Sequence, residues 1–158
     1  MSLDIGNFEE VKIKGESFYK NIDKVKCPYL KDNVHFNSQG LEHLKFKRRN
    51  KARPQQDQYM RFKLLHLAPE VIKQSHTLQG IWPTKHFERI RIHGRTENIL
   101  KDVKYYEFIA VIENVRVKVI IKRILDENSY YFWSIIPYWG VDKNTSKKKL
   151  HSGYPEED

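Results

Sequence analysis

A chain of 158 residues, 39% hydrophobic and 13% aromatic, holds material for one ordinary core and leaves no room for a second domain. With 31% charged residues and a mean hydropathy of −0.72 the surface is heavily solvated, and no apolar run approaches the roughly 20 residues of a membrane helix. A formal charge of +9 makes a polyanion the first partner to consider, because Lys and Arg that neutralise phosphates release counterions.

In chain order, residues 1–33 show weak alternation (Val11 and Ile13, Phe18 and Tyr19) broken at Gly15 and at Cys27-Pro28. This reads as a loosely folded arm or short strands, with an arm over 1–26 and the domain proper from residue 27. Val34-His35-Phe36 is a candidate strand, and Ser38 is suited to cap a helix of about two turns over 39–47 whose Leu41 and Leu44 face the core. Residues 47–54 form a basic linker. Tyr59, Met60, Phe62, Leu64, Leu65 and Leu67 then mark a second buried helix that Pro69 interrupts, with a further turn over 70–73.

The signal over 75–99 is ambiguous: 78–82 has strand composition, and 87–93 fits an irregular strand or a loop. Three runs rich in β-branched and aromatic residues follow at 103–113, 115–123 and 130–138, punctuated by Asn114 and by Asp126-Glu127-Asn128, and read as an antiparallel meander. A basic, then acidic tail occupies 140–158. The expected fold is α+β, a single domain over 27–139, with N-terminal helices packed on one face of a C-terminal antiparallel sheet of about four strands.

Polar residues inside the meander carry the first functional signal. Strand parity sets Lys118, Ile120 and Lys122 on one side of the middle strand and Val117, Val119, Ile121 and Arg123 on the other. In the last strand it sets Tyr130, Phe132, Ser134 and Ile136 against Tyr131, Trp133 and Ile135. The expectation is an open face with Glu107, Lys122 and Ser134, flanked by Tyr105, Tyr130 and Phe132. Single-stranded RNA suits such a face, its bases stacking on aromatics while cations hold the backbone. A competing account makes Lys118 and Lys122 solvent-facing sheet residues paired across strands with Glu107 or Glu113.

Basic charge is also clustered, at Lys47, Arg48, Arg49, Lys51 and Arg53, and again at Lys143, Lys147, Lys148 and Lys149. The first cluster lies between two helices and reads as phosphate-contacting; the second reads as a solvated loop. His43 sits off the Leu41/Leu44 stripe at the edge of the core, with Gln39 four residues before it and Lys47 four after it. An imidazole titrating near neutrality can move a proton in phosphodiester cleavage, and neighbouring cations would keep it neutral at pH 7. The plainer role for a lone helical histidine is capping or packing. His35, His66, His76, His86, His93 and His151 show no metal spacing, and HExxH, a paired acidic cluster and a Gly-rich phosphate loop are all lacking, so neither metal nor cofactor is expected. The lone Cys27 excludes an internal disulfide and reads as a packed thiol. With no basic start or apolar secretory segment at the N-terminus, the expected compartment is the cytoplasm.

Taken together, VHFNSQGLEHLKFKRRNKARPQQDQYMRFKLL, YYEFIAVIENVRVKVIIKRI and YYFWSIIPYW resemble the metal-free RNase toxin fold shared by barnase, EndoU, RelE and the tRNA-cleaving colicins, and more narrowly its phage and mobile-element domains. The likeness spans residues 27–139. It rests on a helical histidine in Gly40-Leu41-Glu42-His43-Leu44, a basic position in the next helix (Arg61), a basic pair late in the middle strand (Lys122-Arg123) and a hydroxyl in the last strand (Ser134). The resemblance implies a metal-independent endoribonuclease with His43 as general acid or base, Arg61 and Lys122 as phosphate clamps and Ser134 as a donor to a phosphoryl oxygen.

On that reading Lys47, Arg48, Lys51 and Arg53 hold the flanking backbone, and Arg123, Tyr105 and Tyr130 are further RNA contacts. Arg123 replaces Lys122 if the strand parity is inverted. Arg61 has an alternative in an intrahelical pair with Asp57, and Ser134 in a satisfied sheet hydroxyl. The partners implied are RNA, tRNA among the candidates, and an antitoxin or immunity protein, with no membrane. Two other classes stay open: a non-catalytic nucleic-acid-binding module of a phage or mobile element, and a protein-interaction adaptor using an exposed patch of Trp133, Tyr138 and Trp139.

Overall fold

The computed structural model of the protein describes residues 7–47, 51–92, 94–138 and 156–158. Helix α1 (Phe8–Lys20) turns Phe8, Gly15 and Tyr19 inward on one stripe and keeps Glu9 and Glu10 in its first turn, where they favour the helix dipole. A hairpin of β1 (Lys24–Cys27) and β2 (Asp32–His35) follows. Residues 8–20 are therefore helical rather than the loose arm expected from sequence, while the short strands of the alternative reading occur at β1 and β2. The helical stripe is hard to read because Gly15 occupies one of its buried positions. There a Cβ would come within 2.7 Å of Phe62 Cδ1.

Helix α2 (Ser38–Lys45) is capped by Asn37 rather than Ser38: Asn37 Oδ1 accepts from the Gly40 amide at 3.2 Å. Helix α3 (Gln55–Leu64) passes through one 3-10 turn (Leu65–Leu67) into α4 (Ala68–Gln74), and Pro69 falls in the first turn of α4, where a missing N–H is tolerated. Strands β3 (Gly80–Ile92), β4 (Arg95–Ile112), β5 (Val115–Ile124) and β6 (Ser129–Pro137) complete a six-stranded sheet ordered β1-β2-β6-β5-β4-β3. Every pairing is antiparallel except β2 with β6.

Helices and sheet together give the α+β class expected, with six strands in place of about four. The N-terminal hairpin joins the meander through β2, and the β3–β4 ribbon runs its full length through residues 87–92, turning at Gly94 with φ +77°. Residues 87–92 and 95–102 each carry a weak strand signal alone; backbone pairing with the other supplies what composition does not.

One sheet face sends Tyr106, Phe108, Val117, Val119, Ile121, Phe132 and Ile135 into the main core under the helices. The other holds a smaller cluster of Val103, Tyr105, Ile120 and Ile124 against Trp133. A bulge separates the two in β6: Ile121 pairs with Phe132 and Ile120 with Ser134, leaving Trp133 as the extra residue. Strand β2 pairs with β6 only at Tyr130 and Tyr131, and α2 and α3 pack on β6 beyond that point.

Gly40 fixes the approach of α2 to β6. A Cβ there would lie 2.4 Å from the Phe132 carbonyl oxygen and 2.5 Å from the Tyr19 hydroxyl, which itself donates to the Asn37 carbonyl. Gly40→Ala gains at most about 1 kcal/mol of helix propensity, against roughly 1–3 kcal/mol for overpacking on a backbone atom that cannot yield. The expected result is a lowered urea midpoint with an unchanged m-value. No helix among the described residues is long and apolar enough to cross a membrane.

Candidate functional site

His43 lies one turn beyond Gly40 on α2, so the contact that seats the helix on β6 also delivers the imidazole to the β6 bulge. Its ring stacks on Trp133 with centroids 3.9 Å apart and planes at 21°. Lys122 of β5 covers the same indole, its Nζ 4.5 Å from the ring centroid. From α3, Arg61 donates through Nε to Asp57 Oδ1 at 2.6 Å and through Nη1 to Ser134 Oγ at 2.5 Å.

Arg53, just before α3, donates through Nε to the His43 carbonyl at 2.8 Å and through Nη1 to Asp57 Oδ2 at 3.5 Å. Its Nη2 lies 3.0 Å from His43 Nε2. A guanidinium only donates, so Nε2 is the accepting nitrogen and Nδ1 carries the imidazole proton. Lys118, four residues before Lys122 on the same side of β5, pairs with Glu107 Oε2 at 3.1 Å.

Residues 156–158 lie in this cluster. The main-chain oxygen of Asp158 accepts from Arg61 Nη1 and from Ser134 Oγ, the latter at 2.6 Å, and its Oδ2 accepts from Lys118 at 3.4 Å. The Glu157 carbonyl accepts from Arg53 Nη2 at 2.9 Å and the Glu156 carbonyl from Trp133 Nε1 at 3.3 Å. Asp158 is only 1% exposed.

Four buried cations, Arg53, Arg61, Lys118 and Lys122, thus meet two buried carboxylates from the elements around them, Asp57 and Glu107, and Asp158 adds a third. Arg61 retains one buried donor, Nη2, with no hydrogen-bond partner among the described residues. Burial, opposed by Asp57, lowers Arg53 to about 10, which leaves it a cation at neutral pH.

Burial first, then Arg53, Arg61 and Lys122, hold His43 well below its ordinary value of 6.5, while a hydrogen bond with the Asp158 backbone opposes them weakly. His43 is therefore neutral at pH 7. Because its folded value is depressed, the unfolded chain binds the extra proton as pH falls below about 6.5, and stability falls with it. One such proton corresponds to a slope approaching 1.4 kcal/mol per pH unit, so His43→Gln should flatten the stability profile between about pH 6.5 and 5, measured by urea unfolding of both proteins.

The fold brings together His43, Arg61, Lys122 and Ser134, drawn from α2, α3, β5 and β6. The face they occupy is buried rather than open, since His43 of α2, Arg61 of α3 and residues 156–158 pack against it; Lys122 is 3% exposed and Ser134 fully buried. Tyr105 shares the face but is also buried, so its own ring is not open to a base. Tyr130 and Phe132 fall on the opposite face because the bulge reverses the parity, and Arg123 lies there too, against the Tyr130 ring at 5.1 Å, so it does not stand in for Lys122. Arg53, expected on a flanking surface, belongs to the buried cluster. Lys47 and Lys51 are exposed, and Arg48 lies outside the described residues.

The Lys118–Glu107 pair exists, but buried, and the Arg61–Asp57 pair forms without preventing Arg61 from reaching Ser134. Trp133 is engaged by His43 and Lys122 instead of an exposed patch, and Trp139 is outside the described residues. Sequence reasoning missed the place of Asp57 and Arg53 in the site, although the four-residue ladder Arg53, Asp57, Arg61 was a usable signal. It had none for Trp133 or Asp158. Among the described residues no three His, Cys, Asp or Glu side chains group as a metal site, and burial raises the Cys27 thiol above its ordinary value. No protein-family model, curated protein or solved structure matches this chain.

Proposed function

We propose that the protein is a metal-independent endoribonuclease of the barnase, EndoU, RelE and colicin superfamily, cleaving RNA by attack of the 2′-OH on the adjacent phosphorus. One observation carries this reading: Arg61 and Ser134 both donate to one oxygen, the main-chain oxygen of Asp158, in a buried cluster that also holds a neutral His43, Arg53, Lys118 and Lys122. This is the donor set a phosphoryl oxygen requires. The order of elements, helices ahead of an antiparallel meander, is compatible with that superfamily.

In the proposed reaction Arg53 turns from His43 Nε2 to the phosphate, and the freed lone pair takes the 2′-OH proton. Trp133 holds the imidazole plane during the transfer. Arg53, Arg61 and Lys122 offset the negative charge that accumulates on the phosphorane, and Ser134 donates to a non-bridging oxygen. The imidazolium returns its proton as the 5′-oxygen leaves, closing the product as a 2′,3′-cyclic phosphate. The exposed Lys47 and Lys51 give the flanking backbone a sequence-independent, salt-sensitive hold.

The test is cleavage of matched RNA and DNA oligonucleotides by the purified protein in EDTA. RNA should be cut and DNA left intact. Cleavage of DNA, or strict dependence on magnesium, would remove transesterification, since DNA lacks the nucleophile. Salt-sensitive binding without cleavage of either strand would favour the nucleic-acid-binding module instead.

A further inference from the structure

We propose that residues 156–158 are an intramolecular pseudo-substrate, occupying with main-chain oxygens and one carboxylate the position of an RNA phosphate and holding the site closed until nucleic acid displaces them. This rests on the function proposed above and adds its regulation. Three consecutive carbonyls are engaged by groups of the site: Glu156 by Trp133 Nε1, Glu157 by Arg53 Nη2, and Asp158 by Arg61 and Ser134. The Asp158 carboxylate adds the contact to Lys118. The run is engaged through its backbone oxygens, as a phosphodiester backbone would be.

The occupant is a weaker ligand than the one it excludes. The oxygens of Glu156 and Glu157 belong to peptide carbonyls, neutral dipoles, whereas a phosphodiester spreads a full charge over two non-bridging oxygens at each linkage, and charge-assisted hydrogen bonds are roughly twice as strong as neutral ones. Arg61 Nη2, buried without a partner among the described residues, is a donor that residues 156–158 leave unused and a second phosphoryl oxygen can take. Tethering compensates for the weaker chemistry: an occupant on the same chain acts at an effective concentration on the order of millimolar. RNA at micromolar concentration is therefore held off unless flanking contacts add to its affinity.

The experiment compares three full-site proteins: the unaltered chain, a variant lacking residues 156–158, and a charge-matched variant, Glu156→Gln with Glu157→Gln and Asp158→Asn. The last loses the same negative charge but keeps all three carbonyls. Each is assayed for affinity towards a non-cleavable 2′-deoxy oligonucleotide and for kcat/KM on RNA of the same sequence. The deletion should bind the deoxy oligonucleotide and cleave RNA at least tenfold better than the charge-matched variant. Equal behaviour of those two variants reduces any gain to bulk charge and overturns the proposal. Loss of cleavage in the deletion with binding retained also overturns it, because the segment would then belong to the catalytic machinery.

If the deletion binds tighter but no protein cleaves RNA, the occupancy stands and the nuclease reading falls. Hydrogen exchange on the unaltered chain decides the matter even should the deletion unfold. Saturating deoxy oligonucleotide must increase exchange at the amides of 156–158, and unchanged exchange there overturns the proposal.

Discussion

His43→Ala is expected to lower RNA cleavage roughly 10²- to 10⁴-fold, the usual contribution of a general acid-base group. It also removes the ring stacked on Trp133 and the acceptor used by Arg53 Nη2, so some stability is lost with it. His43→Gln separates the two effects, because its amide oxygen can still accept from Arg53 while offering no basic nitrogen. Cleavage per folded molecule should be lost in both variants, with the melting temperature closer to the parent in His43→Gln. Should both variants keep cleavage per folded molecule while melting early, His43 is a packing residue and the base must be sought elsewhere. Glu107, on the same face and bound to Lys118, is then next.

Arg61→Met carries the largest expected loss of stability. Arg61 is fully buried, and its removal takes the 2.6 Å partner from Asp57, leaving that carboxylate, among the described residues, the longer 3.5 Å contact with Arg53. Breaking one half of a buried ion pair typically costs 3–5 kcal/mol, whereas replacing both halves by apolar groups is often neutral. Urea unfolding should therefore show a large fall for Arg61→Met and partial recovery for Asp57→Leu with Arg61→Met, partial because Arg53 then loses its own contact with Asp57. RNA cleavage should be lost in both. A single variant as stable as the parent would mean that Asp57 and Arg61 are not the tightly coupled pair the geometry describes.

Much of the sheet was legible because local composition and tertiary burial agree in β4, β5 and β6, where β-branched and aromatic runs are cut by clear turn residues. Helix α1 was not, since a glycine stands on its buried stripe and the reason for that glycine, the ring of Phe62, is 47 positions away in sequence. The extension of β3 and β4 was illegible for a related reason: each strand is specified by the other.

In the site, His43, Arg61, Lys122 and Ser134 were nameable one by one, because each is a polar group where a helical or sheet pattern does not require one. Their enclosure was not nameable. Parity arithmetic treats β6 as regular, and one extra residue at Trp133 sends Phe132 to the main core and turns the indole to the polar face. Arg53 looked like part of a solvated basic run, yet the antiparallel bridge between Phe46 and Ala52 folds the linker back and carries Arg53 under α2. The contact of residues 156–158 with groups on α3, β5, β6 and the linker before α3 leaves no local trace in any of them.

The most direct measurement uses a DNA oligonucleotide containing a single ribose, incubated with the protein in EDTA, with the product ends read by mass spectrometry. Cleavage should occur only on the 3′ side of that ribose, leave a 2′,3′-cyclic phosphate and a free 5′-hydroxyl, and be lost in His43→Gln. A 5′-phosphate on the product, scission at deoxy positions, or undiminished cleavage by His43→Gln would contradict a His43-driven transesterification.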